Sequence, residues 1–289
     1  MTVATPALPT TLAELVARSD ADLPDSVGVL GCRGDAARAV VEAIRELGVE
    51  RVVVFEDDAG AGEAVDRWLA GELDLLLKLE TSTATLMREV LRRSRGRWFA
   101  HVGLVMSEAM GRAFLVADAG LNRSPSVEDL GRIVDRAVVA AGRLGCSDPT
   151  VALIAHRETA DPAVPGSLVL EEVRVRYGDD LRRRGVTLIG PMALDVALDD
   201  RAASTKDAAL AAPCDIVIAP DIIVGNVIYK AFMLRDDCTV AGVALDGAGG
   251  AIAVPSRAAS ASERIASLAF ASAVADRDAV GTAAGGRDA

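Results

Sequence analysis

A chain of 289 residues, 51% of them hydrophobic, can bury a large core and divides more naturally into two lobes than it extends a single one. Its formal net charge of -11 disfavours a nucleic-acid partner, because affinity for phosphate backbones comes from clustered Lys and Arg, and no run approaches the ~18 apolar residues of a membrane span. Four scattered cysteines, Cys32, Cys146, Cys214 and Cys238, with no CxxC pair, argue against a zinc site and suit a reducing cytoplasm, and the N-terminus carries no export signal, so the expected location is cytoplasmic.

In chain order, short β-branched runs alternate with amphipathic stretches, the signature of an α/β fold around a mostly parallel sheet. Strands are expected at 27–32, 51–56, 73–78, 150–156, 187–191, 214–220, 239–245 and 251–255, several of them apolar throughout, as befits strands covered on both faces. Helices are expected at 35–48, 62–71, 126–145 and 262–276, where apolar residues recur every three or four positions. Ser126 and Asp129 form a capping-box signature, and Gly145 a left-handed stop. Residues 101–120 read instead as an antiparallel hairpin turning at Met110-Gly111. The arginine runs at 92–97 and 182–184 read as solvated helix ends, and the residues after about Asp278 as a frayed tail.

Several strand ends carry groups able to hold an anion. GCRGD at 31–35 joins a strand to a helix but lacks nucleotide-loop spacing, so a tight turn is favoured over a phosphate site. Lys78, Ser82 and Thr83 open a helix, where hydroxyls and unpaired amides can either cap it or bind a phosphate oxygen. Asp118 with Asn122, and Glu158 with Thr159 and Asp161, follow strands as turn formers or as site groups. Asp221 lies just past a strand, with Gly225 and Asn226 at the expected opening of the next helix; Gly225 permits close backbone approach and Asn226 offers an uncharged hydrogen bond. Ser256-Arg257, at the end of the last strand, pairs a hydroxyl donor with a planar cation suited to a phosphoryl group, against the alternative of a cap and a surface ion pair.

Six segments then appear in a telling order: LLKLETSTATLMREVL (76–91), FLVADAGLN (114–122), VALIAHRETADPAVP (151–165), GPMALD (190–195), APDIIVGNVIYKAF (219–232) and PSRAASASERIASLAF (255–270). Together they resemble the phosphate acetyl- and butyryltransferases, over nearly the whole chain. The resemblance implies a two-lobed fold of the isocitrate/isopropylmalate dehydrogenase type with a cleft between lobes: residues 1–97 with 251–289 forming the first lobe, and 98–250 the second, which would also mediate a homodimer through strand edges of the hairpin. It implies acyl-CoA and inorganic phosphate as substrates, coenzyme A as a substrate rather than a bound cofactor, and no metal. Ser256, Arg257 and Glu263 would be catalytic, with Glu263 at the offset of the thiol base. Lys78, Ser82, Thr83, Asp118, Asn122, Glu158, Asp221, Gly225 and Asn226 would contact substrate. The chain departs from the family pattern at Leu79-Glu80, where glycine is usual, at Ala117, Pro255 and Ala259, and at Ser262, where butyryl-type sequences tend to place their glutamate. A catalytically weak acyl-CoA or acyl-phosphate binding protein is therefore the second expectation. A decarboxylating dehydrogenase on the same fold is the third, without an identifiable nucleotide loop.

Overall fold

The computed structural model describes residues 8–19, 23–94, 96–206 and 213–276. Its elements run α1 (Leu12–Ser19), β1 (Ser26–Leu30), α2 (Gly34–Glu46), β2 (Arg51–Phe55), α3 (Ala61–Leu69), β3 (Leu75–Lys78), α4 (Thr83–Arg93), β4 (Phe99–Ser107), β5 (Arg112–Ala117) and α5 (Val127–Arg143). They continue with β6 (Thr150–Ile154), α6 (Pro165–Arg183), β7 (Thr187–Met192), α7 (Leu194–Leu198), α8 (Asp200–Thr205), β8 (Ile216–Ile218), α9 (Ile222–Met233), β9 (Cys238–Asp246), β10 (Ala251–Ala253) and α10 (Ala261–Val274). All eight expected strands and four expected helices form. The expected tail and Arg95 lie outside the described residues.

The chain divides into two compact units. A flanking unit comprises the described parts of Thr11–Phe99 and Thr239–Ala289; an inserted unit comprises those of Ala100–Cys238 and Met1–Thr10. In the flanking unit β1 pairs in parallel with β2 and β3, β3 in parallel with β10, and β10 antiparallel with β9. The last pairing moves the second crossing from the expected Gly249-Gly250 back to Thr239. The turn at 246–250 is a hairpin inside one unit, closed by Asp246, whose Oδ1 accepts from Gly250 N at 2.6 Å and whose Oδ2 receives Arg97 at 2.9 Å. Arg97 is thus a structural partner of a buried carboxylate, not a solvated helix end. α10 is buried along most of its length and packs on α1, α2, β3 and β10, so the C-terminal segment completes a core begun by the N-terminal one.

The inserted unit is built on β4 and β5, the expected hairpin, paired antiparallel from Val102–Ala117 to Ser107–Arg112. β5 pairs in parallel with β8, β8 with β6, and β6 with β7. β4 and β5 each have a strand neighbour on both sides, so the hairpin offers no strand edge for a partner to cover. α5 starts with the expected Ser126–Asp129 capping box, buries Leu130, Ile133, Val134 and Ala137 at helical spacing, and stops at Gly145 with φ of 92°. α6 escapes the periodicity because VLEEVRVRY alternates like a strand: Leu170 and Val173 are buried, but Leu168 and Val175 face solvent. Among the described residues no helix is long and apolar enough to cross a membrane.

Candidate active site

In the flanking unit, the parallel register sets Ala253 opposite Leu77, so the chain leaves β10 and β3 at the same end. Lys78 closes β3, 1% exposed, with Nζ donating to Leu79 O at 3.4 Å. Beyond it Ser82 caps α4: its Oγ accepts from Thr85 N at 2.9 Å, and Thr83 is the first helical residue. From β10 the chain passes through Pro255 to a turn in which Ala259 N donates to Ser256 O at 3.0 Å, and Ser260 then caps α10. Two helix N-termini therefore follow two adjacent parallel strands. Each presents the positive end of its dipole and a hydroxyl-bearing cap.

Ser256 is half-buried, its Oγ accepting weakly from Ala258 N at 3.4 Å. Arg257 is exposed, and among the described residues its guanidinium has no carboxylate partner. Arg88, Arg123 and Arg201 share that condition, so it is the place of Arg257 beside Ser256 and the N-terminus of α10 that makes it a candidate. The arginine runs at the ends of α4 and α6 are neutralised: Arg92 and Arg93 pair with Glu89, and Arg182, Arg183 and Arg184 pair with Asp179, Asp180 and Asp135. Glu263 occupies the third position of α10 and completes a capping box, its Oε2 accepting from Ser260 N at 2.8 Å and Ser260 Oγ at 2.9 Å. Among the described residues only its Oε2 is engaged.

Leu79 and Glu80, the departures from the expected glycine pattern, are both absorbed locally. Leu79 is 1% exposed and Glu80 accepts from Arg264 at 2.8 Å, so its charge is balanced by a buried cation. Arg264 escaped the sequence reading. Its signal was a charge at a position of α10 that helical spacing assigns to the buried face. The GCRGD segment is a packing turn: Gly31 has φ of 72°, and a Cβ there would collide with the main-chain nitrogen of Thr81.

In the inserted unit Asp118 is the organising group. Its side chain, 2% exposed, accepts from Gly120 N (2.8 Å) and Leu121 N (2.7 Å) through Oδ1, and from His101 N (2.9 Å) and Asn122 Nδ2 (2.6 Å) through Oδ2. Asn226 Nδ2 donates to Ala119 O at 3.0 Å, tying α9 to the same loop. Asp221 caps α9, accepting from Ile223 N at 2.8 Å and Val224 N at 3.0 Å. The helix therefore opens at Ile222, a turn before the expected Gly225-Asn226, and Gly225 lies inside it against the carbonyl of Asp118. Asp118, Asn122, Asp221, Gly225 and Asn226 thus converge, chiefly to fold one loop. Glu158 stands apart, paired at 3.4 Å with Lys206, which also holds Asp195 at 3.1 Å.

All four cysteine thiols are pushed upward, burial being the first cause, and those of Cys146 and Cys214 reach about 12. A thiol protonated at neutral pH is a poor nucleophile. The inserted unit also holds a cavity of about 710 Å³ between Met110, Arg112, Leu198, Asp199, Pro213 and Phe232. None of the site residues expected from the sequence lines it.

A family model described as phosphate acetyl/butaryl transferase matches residues 65–272. The phosphate butyryltransferase of Clostridium acetobutylicum is 31% identical over 219 residues, 74% of this chain and 72% of that protein. The phosphate acetyltransferase of Thermotoga maritima is 25% identical over 228 residues, 76% of each chain. Among solved structures, a branched-chain phosphotransacylase from Enterococcus faecalis superposes with a TM-score of 0.74 at 26% identity, covering 86% of this chain and all of that one.

Proposed function

Because the chain belongs to the phosphate acetyl- and butyryltransferase family, we propose that it interconverts acyl-CoA and inorganic phosphate with acyl phosphate and coenzyme A, by direct transfer in a ternary complex. The observation that carries this reading is the Ser256-Arg257 turn: a half-buried hydroxyl beside an exposed arginine that has no carboxylate partner among the described residues, next to the N-termini of α4 and α10. In the direction of acyl-CoA, Glu263 takes the thiol proton; the cap uses Oε2, which leaves Oε1 for that purpose. Help is needed because a free thiol with a pKa near ~8.5 is only a few per cent ionised at neutral pH. The thiolate then attacks the acyl carbonyl, the C–S bond forms and the C–O bond to phosphate breaks. Ser256 donates to the carbonyl oxygen as it gains charge, and Arg257 holds the departing phosphate. Lys78, Ser82 and Thr83 serve the phosphate side, while Asp118, Asn122, Glu158, Asp221, Gly225 and Asn226 shape the remaining contacts with substrate, mostly by fixing loops.

Release of CoA thiol, measured across short, branched and aromatic acyl-CoAs with and without phosphate, tests the reading. Phosphate-dependent release from at least one donor is expected; CoA binding without release from any of them would favour the binding-protein alternative. In the same assay Arg257→Lys, which keeps the charge and loses the fork, should raise KM for phosphate more than it lowers kcat. Glu263→Gln should depress turnover most at low pH and recover partly as rising pH ionises CoA unaided; an unchanged pH profile would exclude it as the base.

The protein is further proposed to be cytoplasmic and a homodimer. The support for the dimer is α9 with its C-terminal cap, where Ile223, Val227 and the capping Leu234 are 72%, 62% and 86% exposed. Burying each contributes about 1.5–3 kcal/mol, which a second copy can supply. Sedimentation should give the mass of a dimer at micromolar concentration, and a monomer that persists there refutes it.

A further inference from the structure

Arg264 has no part in the reaction just described, yet its placement is costly. It is 7% exposed and sits at the fourth position of α10, where a cation faces the positive end of the helix dipole. A buried charge is tolerated when its donors are matched, and here one atom does the matching. Arg264 Nη2 donates to Glu80 Oε1 at 2.8 Å and to the main-chain carbonyl of Arg257 at 3.3 Å, while Nε is buried without a hydrogen-bond partner. The two acceptors lie on different loops. Glu80 is on the loop that leads from β3 to Ser82 and Thr83, and the Arg257 carbonyl is in the turn that carries Ser256.

Resting on the acyl-transfer reading, we propose that Arg264 is a positioning residue: the Nη2 bridge holds the Ser256-Arg257 turn in register with the loop after β3 and so fixes where the serine hydroxyl and the Arg257 guanidinium stand. Glu80 is the outer half of the bridge. Its charge balances Arg264 and leaves Arg257 as the cation offered to an anion. Because one nitrogen serves both acceptors, the planar fork of arginine is not used, and an ammonium with three donors can make the same bridge.

The test compares wild type, R264M, R264K and E80A for kcat, KM for phosphate, thermal midpoint, and amide hydrogen exchange at Ala258 and Ala259. R264M should lower kcat by about 10- to 100-fold, the cost of a misplaced catalytic group, with KM for phosphate within about threefold of wild type. R264K should restore kcat to within about threefold. E80A should lose about tenfold, and E80A/R264M should be no worse than R264M, since both changes cut one bridge. Wild-type kcat in R264M, or in E80A should R264M not fold, overturns the proposal; so does an R264K protein that melts like wild type without recovering turnover. If wild type releases no CoA from any donor, the acyl-transfer reading fails, and the bridge is judged by exchange alone. Exchange at Ala258 and Ala259 at least about tenfold faster in R264M and restored in R264K supports it, and equal exchange in all variants overturns it.

Discussion

Ser256→Ala is expected to lower kcat by roughly ten- to thousand-fold while leaving KM for acyl-CoA and phosphate nearly unchanged. The size follows from timing. A hydroxyl aimed at a carbonyl oxygen gains most of its interaction when that oxygen becomes an oxyanion, so its loss weakens the transition state and spares the ground state. The structural cost should be small, because among the described residues Ser256 Oγ makes one long bond, to Ala258 N, and the turn itself is closed through the main chain. Steady-state kinetics with an unchanged melting curve would establish this. A Ser256→Ala protein with wild-type kcat would remove the oxyanion role, and a rise in KM alone would recast Ser256 as a binding group.

The largest effect on stability should come from Gly225→Ala. A methyl group there meets the carbonyl of Asp118, with the carbonyl carbon at 3.0 Å and the Ala219 Cβ at 3.2 Å. The carbonyl cannot yield cheaply, because the Asp118 side chain is fastened to four donors and Ala119 O receives Asn226. Overpacking costs about 1–3 kcal/mol and more where backbone is struck, against about 1 kcal/mol gained from the better helix former. A net loss of about 2 kcal/mol corresponds to roughly 4–8 °C in thermal midpoint for a domain of this size. Gly178 supplies the control: it lies in α6 of the same unit, and a Cβ there meets nothing within 4 Å. Gly178→Ala should stabilise by about 0.4–1 kcal/mol. Two melting curves that both rise would show that the collision at Gly225 is relieved by small movements.

Much of this was legible in the sequence because the signals were local. Apolar runs such as Leu75–Leu77 could only be buried strands, the Ser126–Asp129 pair announced the start of α5, and the Met110-Gly111 turn announced its hairpin. Reading failed where the deciding partner is far away in the chain. The crossing near Gly250 was misplaced because the pairing of β9 with β10 and the Arg97–Asp246 bond, 149 positions apart, leave no local mark. Glu80 looked like a defect in an anion loop until a partner 184 positions later balanced it. The opening of α9 was set one turn late because a glycine suggests a boundary, whereas Gly225 is there to let a helix approach a carbonyl. Conversely, Glu263 was assigned by offset from Ser256, and only the structure shows the same carboxylate capping its own helix.

The discontinuity of the flanking unit also sets an order in time. β10 pairs with β3 and α10 packs on α1 and α2, so the N-terminal strands wait for a segment made more than 170 positions later. At about 5–20 residues per second of synthesis, that interval is roughly ten to thirty seconds, during which the whole inserted unit emerges and can fold. Until β10 arrives, the β3 edge it will cover is open on the nascent chain, an invitation to wrong pairing. The turn bearing Ser256 and Arg257 follows β10 directly, so it takes its place only once that strand has paired with β3, long after β3 itself is made.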